Sequence, residues 1–189
     1  MNRCKAGLIL VCWFPAGCGP KPSEVKQGQI TLRWDGPLEG SLSGPAKADW
    51  CPALRLLEIQ SIHGDTGVAL ALYPVDTVGP GSYRIVEPVR AESFPPAAGI
   101  AVRWLSRNVV QGFQGDSGQL DLERSAAGQL SGRVQARARS VVDTQQIALT
   151  GTFQGLRPLT DSLRCSPEDT NPENFERDET TEPDPTDVD

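Results

Sequence analysis

With 189 residues, 38% of them hydrophobic, the chain has room for one domain with appendages. Nineteen glycines and sixteen prolines, with few long helix-favouring windows, point to short strands joined by turns. The formal charge of −6 belongs to the C-terminus: residues 166–189 carry ten acidic side chains and one basic one, Arg177, which leaves +3 for everything before them and no strong electrostatic reason to seek nucleic acid.

The chain opens with Arg3 and Lys5, and then residues 6–14 are uncharged and mostly apolar. As a helix that stretch is about 14 Å long, too short for a membrane span of about 20 residues and suited to the core of a signal peptide. Pro15-Ala16-Gly17-Cys18 follows. The combination resembles the signal peptide and lipobox of bacterial lipoproteins, with Ala16 and Gly17 in the small-residue positions and Cys18 at the modified cysteine. Pro15 stands where the family usually has Leu. Cys12 fits less well, because branched Val11 precedes it.

The resemblance implies removal of residues 1–17, a thioether-linked diacylglyceryl group on Cys18 and usually a further N-acyl chain such as palmitate. Several acyl chains hold a protein durably at a membrane, where one would not. Gly19 replaces the Asp that retains family members at the inner membrane, which implies an outer-membrane address in a cell that has one. Residues 18–28 then read as the lipidated cysteine and a polar, Pro-containing tether, about 30 Å when extended.

From residue 29 to 165 the sequence predicts an all-β domain. In residues 29–34, Ile30, Leu32 and Trp34 share one face; residues 38–48 form a Gly- and Ser-rich strand with Leu42 inward. Residues 54–62 are mostly apolar, and adjacent Leu56 and Leu57 suggest a bulge. Residues 53–61 are also the one competing helix candidate. A turn at residues 63–67 leads to alternating Val68, Leu70 and Leu72, and Gly79-Pro80-Gly81 leads to Tyr83 and Ile85. Val102 with Trp104, then Leu120 with Leu122, mark two more strands. Residues 129–138 and 146–153 alternate almost perfectly, so one of their faces is wet.

Eight to nine short antiparallel strands at this spacing predict a β-sandwich or small barrel. Pro80-Gly81-Ser82-Tyr83, Gly118-Gln119-Leu120-Asp121-Leu122, Leu130-Ser131-Gly132 and Leu149-Thr150-Gly151-Thr152-Phe153 occur in that order. Over residues 29–157 this succession is similar to a group of uncharacterised bacterial lipoprotein domains, which implies a fold and no activity. Residues 166–189 lack apolar periodicity and are expected to be disordered.

Once Cys4, Cys12 and Cys18 are assigned to the leader and anchor, Cys51 and Cys165 remain as an even pair in an exported protein. Their pairing would close nearly the whole domain; two buried thiols are the alternative. Gly115-Asp116-Ser117-Gly118 matches the nucleophile segment of trypsin-like serine proteases, with His63 and Asp76 in the family's order. The residues flanking His63 and those after Gly118 depart from that family, and the segment reads instead as a hairpin turn. His63 is the only histidine, Cys51 and Cys165 have no zinc-type spacing, and Asp65, Asp76 and Asp116 have none of the spacing of a calcium loop.

No cofactor is expected. Trp34, Trp50 and Trp104 fit a core better than a ligand surface, with Trp50 expected over the Cys51 disulfide. The acidic tail reads as a solvating appendage or a contact for a basic partner. The functional expectation is a membrane-tethered, non-enzymatic binding or structural domain of the cell envelope. Its rivals are a barrel carrying an apolar ligand past small residues such as Gly132, Ala136 and Ala138, and an enzyme with a site assembled from loops.

Overall fold

The structure, a computed structural model, describes residues 28–106 and 109–160. Along the chain come β1 (Gly28–Asp35), β2 (Gly40–Cys51), β3 (Leu56–His63), β4 (Thr66–Tyr73), β5 (Gly81–Ile85), α1 (Pro88–Ala91), β6 (Ala97–Ser106), β7 (Val109–Arg124), β8 (Leu130–Ser140), β9 (Gln146–Leu156) and β10 (Pro158–Leu159). In β1, buried Ile30, Leu32 and Trp34 alternate with exposed Gln29, Thr31 and Arg33, and β8 and β9 repeat the pattern. A period of two puts one row inward and the other in water.

The fold is all-β, and of the two architectures open to the sequence it is the barrel. Nine strands form a ring in the order β1-β9-β8-β7-β5-β6-β4-β3-β2, and β2 pairs back onto β1 from Gly28↔Ala46 to Trp34↔Gly40. Closure leaves the ring no free edge. We call the end where β1 begins the lower end. All pairs are antiparallel except β5 along β6 and β10 along β2.

β5 is a wedge. The 16-residue β7 serves two neighbours: its upper part pairs with β6 as far as Gln114↔Ala101, and Gly118 to Leu122 pair with β5. Between them the register against β8 shifts between Gly115 and Ser117. The hairpin turn expected at residues 115–118 is therefore a β-bulge inside one long strand. Gly118 has φ +135° there, and a Cβ would meet the Ala136 Cα at 2.6 Å. Positive φ serves a bulge as well as a turn, which is why the local signal misleads.

Residues 53–61 do not form a helix, and the bulge expected at Leu56 and Leu57 is absent as well. β2 and β3 pair in unbroken register, Cys51↔Leu56 and Trp50↔Leu57, with Leu57 inward and Leu56 half-buried outside.

The barrel is filled by its own side chains. Trp34 stacks on Trp104 with ring centroids 4.9 Å apart, and Trp104 on Phe113 at 5.2 Å. Leu32, Ile59, Leu70, Ile100, Leu120 and Phe153 are buried in the same cluster. Burying each such side chain contributes roughly 1.5–3 kcal/mol.

The small inner residues allow this packing. A Cβ on Gly132 would collide with the Phe153 ring, one on Gly115 with Ile100, and one on Gly151 would approach Leu32 Cδ1 to 2.7 Å. At these three glycines the space left by the missing side chain is taken by a neighbour. Gly132→Ala is accordingly expected to destabilise the domain by about 1–3 kcal/mol, the usual cost of overpacking. Gly79→Ala, whose Cβ has no neighbour closer than 3.9 Å, should change stability by under about 0.5 kcal/mol. Urea unfolding separates the two, and equal midpoints would contradict a close-packed interior.

Candidate functional site

Cys18 and Cys165 lie outside the described residues. Cys51 is buried at the lower end of β2 with 6% of its surface exposed. Trp50 is half-buried against the core and so faces the side of β2 opposite Cys51, not over it. Trp34 is a buried core residue, as expected, and Trp104 is half-buried against the core.

The protease-like residues do not converge. His63 is exposed at the upper end of β3, Asp76 follows β4 at the lower end, and Ser117 is on β7, with β4 and β6 between it and β3. Ser117 Oγ donates to Asp116 Oδ1 at 2.8 Å, and Asp116 Oδ2 pairs with Arg139 at 3.4 Å. Asp65, Asp76 and Asp116 sit on separate elements, and among the described residues no group of three His, Cys, Asp or Glu side chains is placed to hold a metal ion.

What the structure does build is a groove on the outer wall. The crossover from β5 to β6 passes outside the barrel, and α1 roofs the outer face of β6: a Cβ on Gly99 would meet Pro88 Cα at 3.2 Å, and Ala91 is fully buried. Above Gly99 the small outer residues continue as Ala101, Gly67, Ala69 and Gly112 without a roof. They floor a concavity of about 280 Å³ edged by Ile62, Arg103 and Val141.

A second, larger concavity of about 740 Å³ joins it at Gln60 and Ile62 and runs down across Pro45, Lys47 and Ala48 to Arg157 and Leu159. Its shape follows from Pro45. Lacking an N–H, this residue cannot continue the β2–β3 ladder, which stops at Lys47↔Gln60. Ser61 Oγ bridges the seam by donating to the Pro45 carbonyl at 2.8 Å.

The charge of the groove is one-sided. Lys47, Arg103 and Arg157 line it and no carboxylate does. Among the described residues none of the three enters an ion pair. Ile62 stands at the junction with 64% of its surface exposed. Apolar floor and cationic rim together suit a ligand that is apolar in part and negatively charged.

The displaced titrations lie elsewhere. Burial raises the Tyr73 phenol, helped by Glu92 and Glu58, and burial raises Tyr83, although its hydrogen bond to the Gly79 carbonyl acts the other way. Hydrogen bonds from Gln119 and Ser82 hold the exposed Asp121 carboxyl below its usual range. These shifts accompany packing and surface pairing.

No family model, curated protein or solved structure matches the chain. The groove was not read from the sequence. One signal was present: Gly67, Ala69 and Ala71 on β4, with Gly99 and Ala101 on β6, are small where a wet outer row would be polar. Nothing local singles out Lys47 or Arg157.

Removing the Ser61 hydroxyl leaves the Pro45 carbonyl without its partner, so Ser61→Ala is expected to cost about 1 kcal/mol. Hydrogen exchange should speed up at Gln60 and Ile62 and stay unchanged on β8. A uniform change across the barrel would show that Ser61 does not hold this seam.

Proposed function

We propose that the chain is a lipid-anchored protein of the cell envelope whose barrel binds without catalysis, using the outer groove to hold an acidic, partly apolar partner. The observation that carries this reading is the groove: an apolar floor with three cations and no carboxylate among its lining residues, the nearest acidic residues in register being Asp49 beside Leu159 and Glu58 opposite Asp49. The packed interior speaks against a carrier of enclosed cargo, and the protease-like residues lie too far apart in the fold to cooperate.

Two features support anchoring at the N-terminus. The signal-like segment ends at Cys18. Gly28, where the barrel begins, pairs with Ala46, and Leu159 pairs with Asp49. Both chain ends therefore leave β2 about 10 Å apart, toward one end of the barrel, and the tips between β3 and β4 and between β8 and β9 point the other way.

The Cys51–Cys165 bridge belongs to the same proposal. β10 runs parallel to β2 and reaches Asp49, two residues before Cys51, with six residues left to Cys165. The chain is thus heading toward its candidate partner. A bridge closing the 113 residues between Cys51 and Cys165 contributes roughly 4–5 kcal/mol on the chain-entropy model.

Intact mass spectrometry of the chain made in a bacterium that matures lipoproteins tests both parts. The expected product lacks residues 1–17, carries added acyl mass and has two hydrogens fewer than the reduced chain. Cys18→Ala should abolish the acylation and leave the bridge. A mature N-terminus other than Cys18 would refute the anchor, and free thiols at Cys51 and Cys165 in the oxidised protein would refute the bridge.

A further inference from the structure

We infer that the acidic C-terminal segment, residues 166–189, is itself a ligand of the outer groove, binding in cis with the Phe175 ring on the apolar floor near Pro45 and Ile62 and its carboxylates toward Lys47 and Arg157. This rests on the groove being a binding site and names its first occupant.

Composition matches on both sides. Residues 166–189 carry ten carboxylates and one Arg, and their one aromatic side chain, Phe175, lies among Glu173, Glu176 and Asp178. The groove supplies cations without anions around an apolar floor. The rival basic surface is the outer row of β8, with Arg133, Arg137 and Arg139. There Arg139 already pairs with Asp116, and Asp121 lies opposite Arg133. That row is partly neutralised and offers no comparable apolar seat, so the groove is favoured.

Connectivity adds to the match. Leu159, where β10 ends, lines the groove, so the segment is tethered at the site it would fill. Phe175 is sixteen residues further on. With Cys165 bridged to Cys51 as proposed, ten residues connect the lower end of β2 to Phe175; a flexible chain of that length has an end-to-end distance of about 17 Å and an extended reach of about 33 Å, while the path along β2 from Cys51 to Pro45 is about 20 Å. The linker reaches well within its extended length, and a short flexible linker gives an effective concentration in the millimolar range. Contacts too weak to hold a free peptide then suffice within one molecule.

The test uses the full chain carrying Cys18→Ala, with the photo-reactive p-benzoylphenylalanine in place of Phe175. Irradiation of dilute protein should yield monomers cross-linked to peptides holding residues 45–48 or 60–62. The exposed pair Lys47→Glu and Arg157→Glu should remove those cross-links while the circular dichroism spectrum is unchanged. Cross-links scattered over the barrel, formed only between molecules, or indifferent to the charge reversal would overturn the inference.

A fluorescent anilinonaphthalene sulfonate dye, apolar and anionic, separates this inference from the groove reading beneath it. Phe175→Ser should open the groove and raise dye binding, and adding Ile62→Glu should abolish the gain. If the unaltered segment already admits dye in an Ile62-dependent way and Phe175→Ser changes nothing, the groove binds but its own tail does not fill it. If no variant binds dye at Ile62, the groove reading fails and the tail inference falls with it.

Discussion

The pairing of β2 back onto β1 is the constraint on which the rest of this structure depends. It closes the ring, and a closed ring fixes both the volume inside and the number of inward side chains that must fill it. The fit is tight at the closure itself, where Trp34 lies opposite Gly40 and any Cβ on Gly40 would enter the indole. Among the described residues the buried Trp34 Nε1–H has no hydrogen-bond partner. Leaving such a group unsatisfied costs about 1–3 kcal/mol. The stack of Trp34, Trp104 and Phe113 offsets that cost by removing the Trp34 and Phe113 rings, and part of Trp104, from water.

With the interior committed to packing, the concave surface lies on the outer wall, and the wedge strand shapes that wall. Inserting β5 between β6 and β7 forces a crossover outside the barrel, and the crossover brings α1 down onto β6. Close approach of α1 demands small residues beneath it, as Pro88 over Gly99 shows. The row of small residues extends beyond the roof, and the exposed remainder is the upper groove. Pro45 produces the lower one by ending a ladder early. The groove is thus a by-product of two irregularities in a regular fold, a parallel insertion and a proline in a strand.

These irregularities also mark where the sequence stops being legible. Inward and outward rows could be read from period-two alternation because each is a local property: Ile30, Leu32 and Trp34 face inward whatever their strand pairs with. Barrel and sandwich could not be separated, since closure depends on β1 choosing both β2 and β9, and such distant pairing leaves no local trace. The bulge at Gly115 to Ser117 has the local signature of a turn, because positive φ at Gly118 serves either. Adjacent leucines at 56 and 57 misled in the opposite sense, as Leu56 is half-buried outside the barrel near the end of β2. The sequence pairs Cys51 with Cys165 as a candidate bridge, whereas nothing local marks Lys47 and Arg157, which only the seam places beside one apolar floor.

The two chain ends add a geometric argument to the chemical one. Gly28 and Leu159 both line the lower part of the groove, so whatever either terminus carries is held near the groove before it meets any other surface. For a segment bearing opposite charge, tethering converts association into an intramolecular step whose strength is set by linker length more than by contact area.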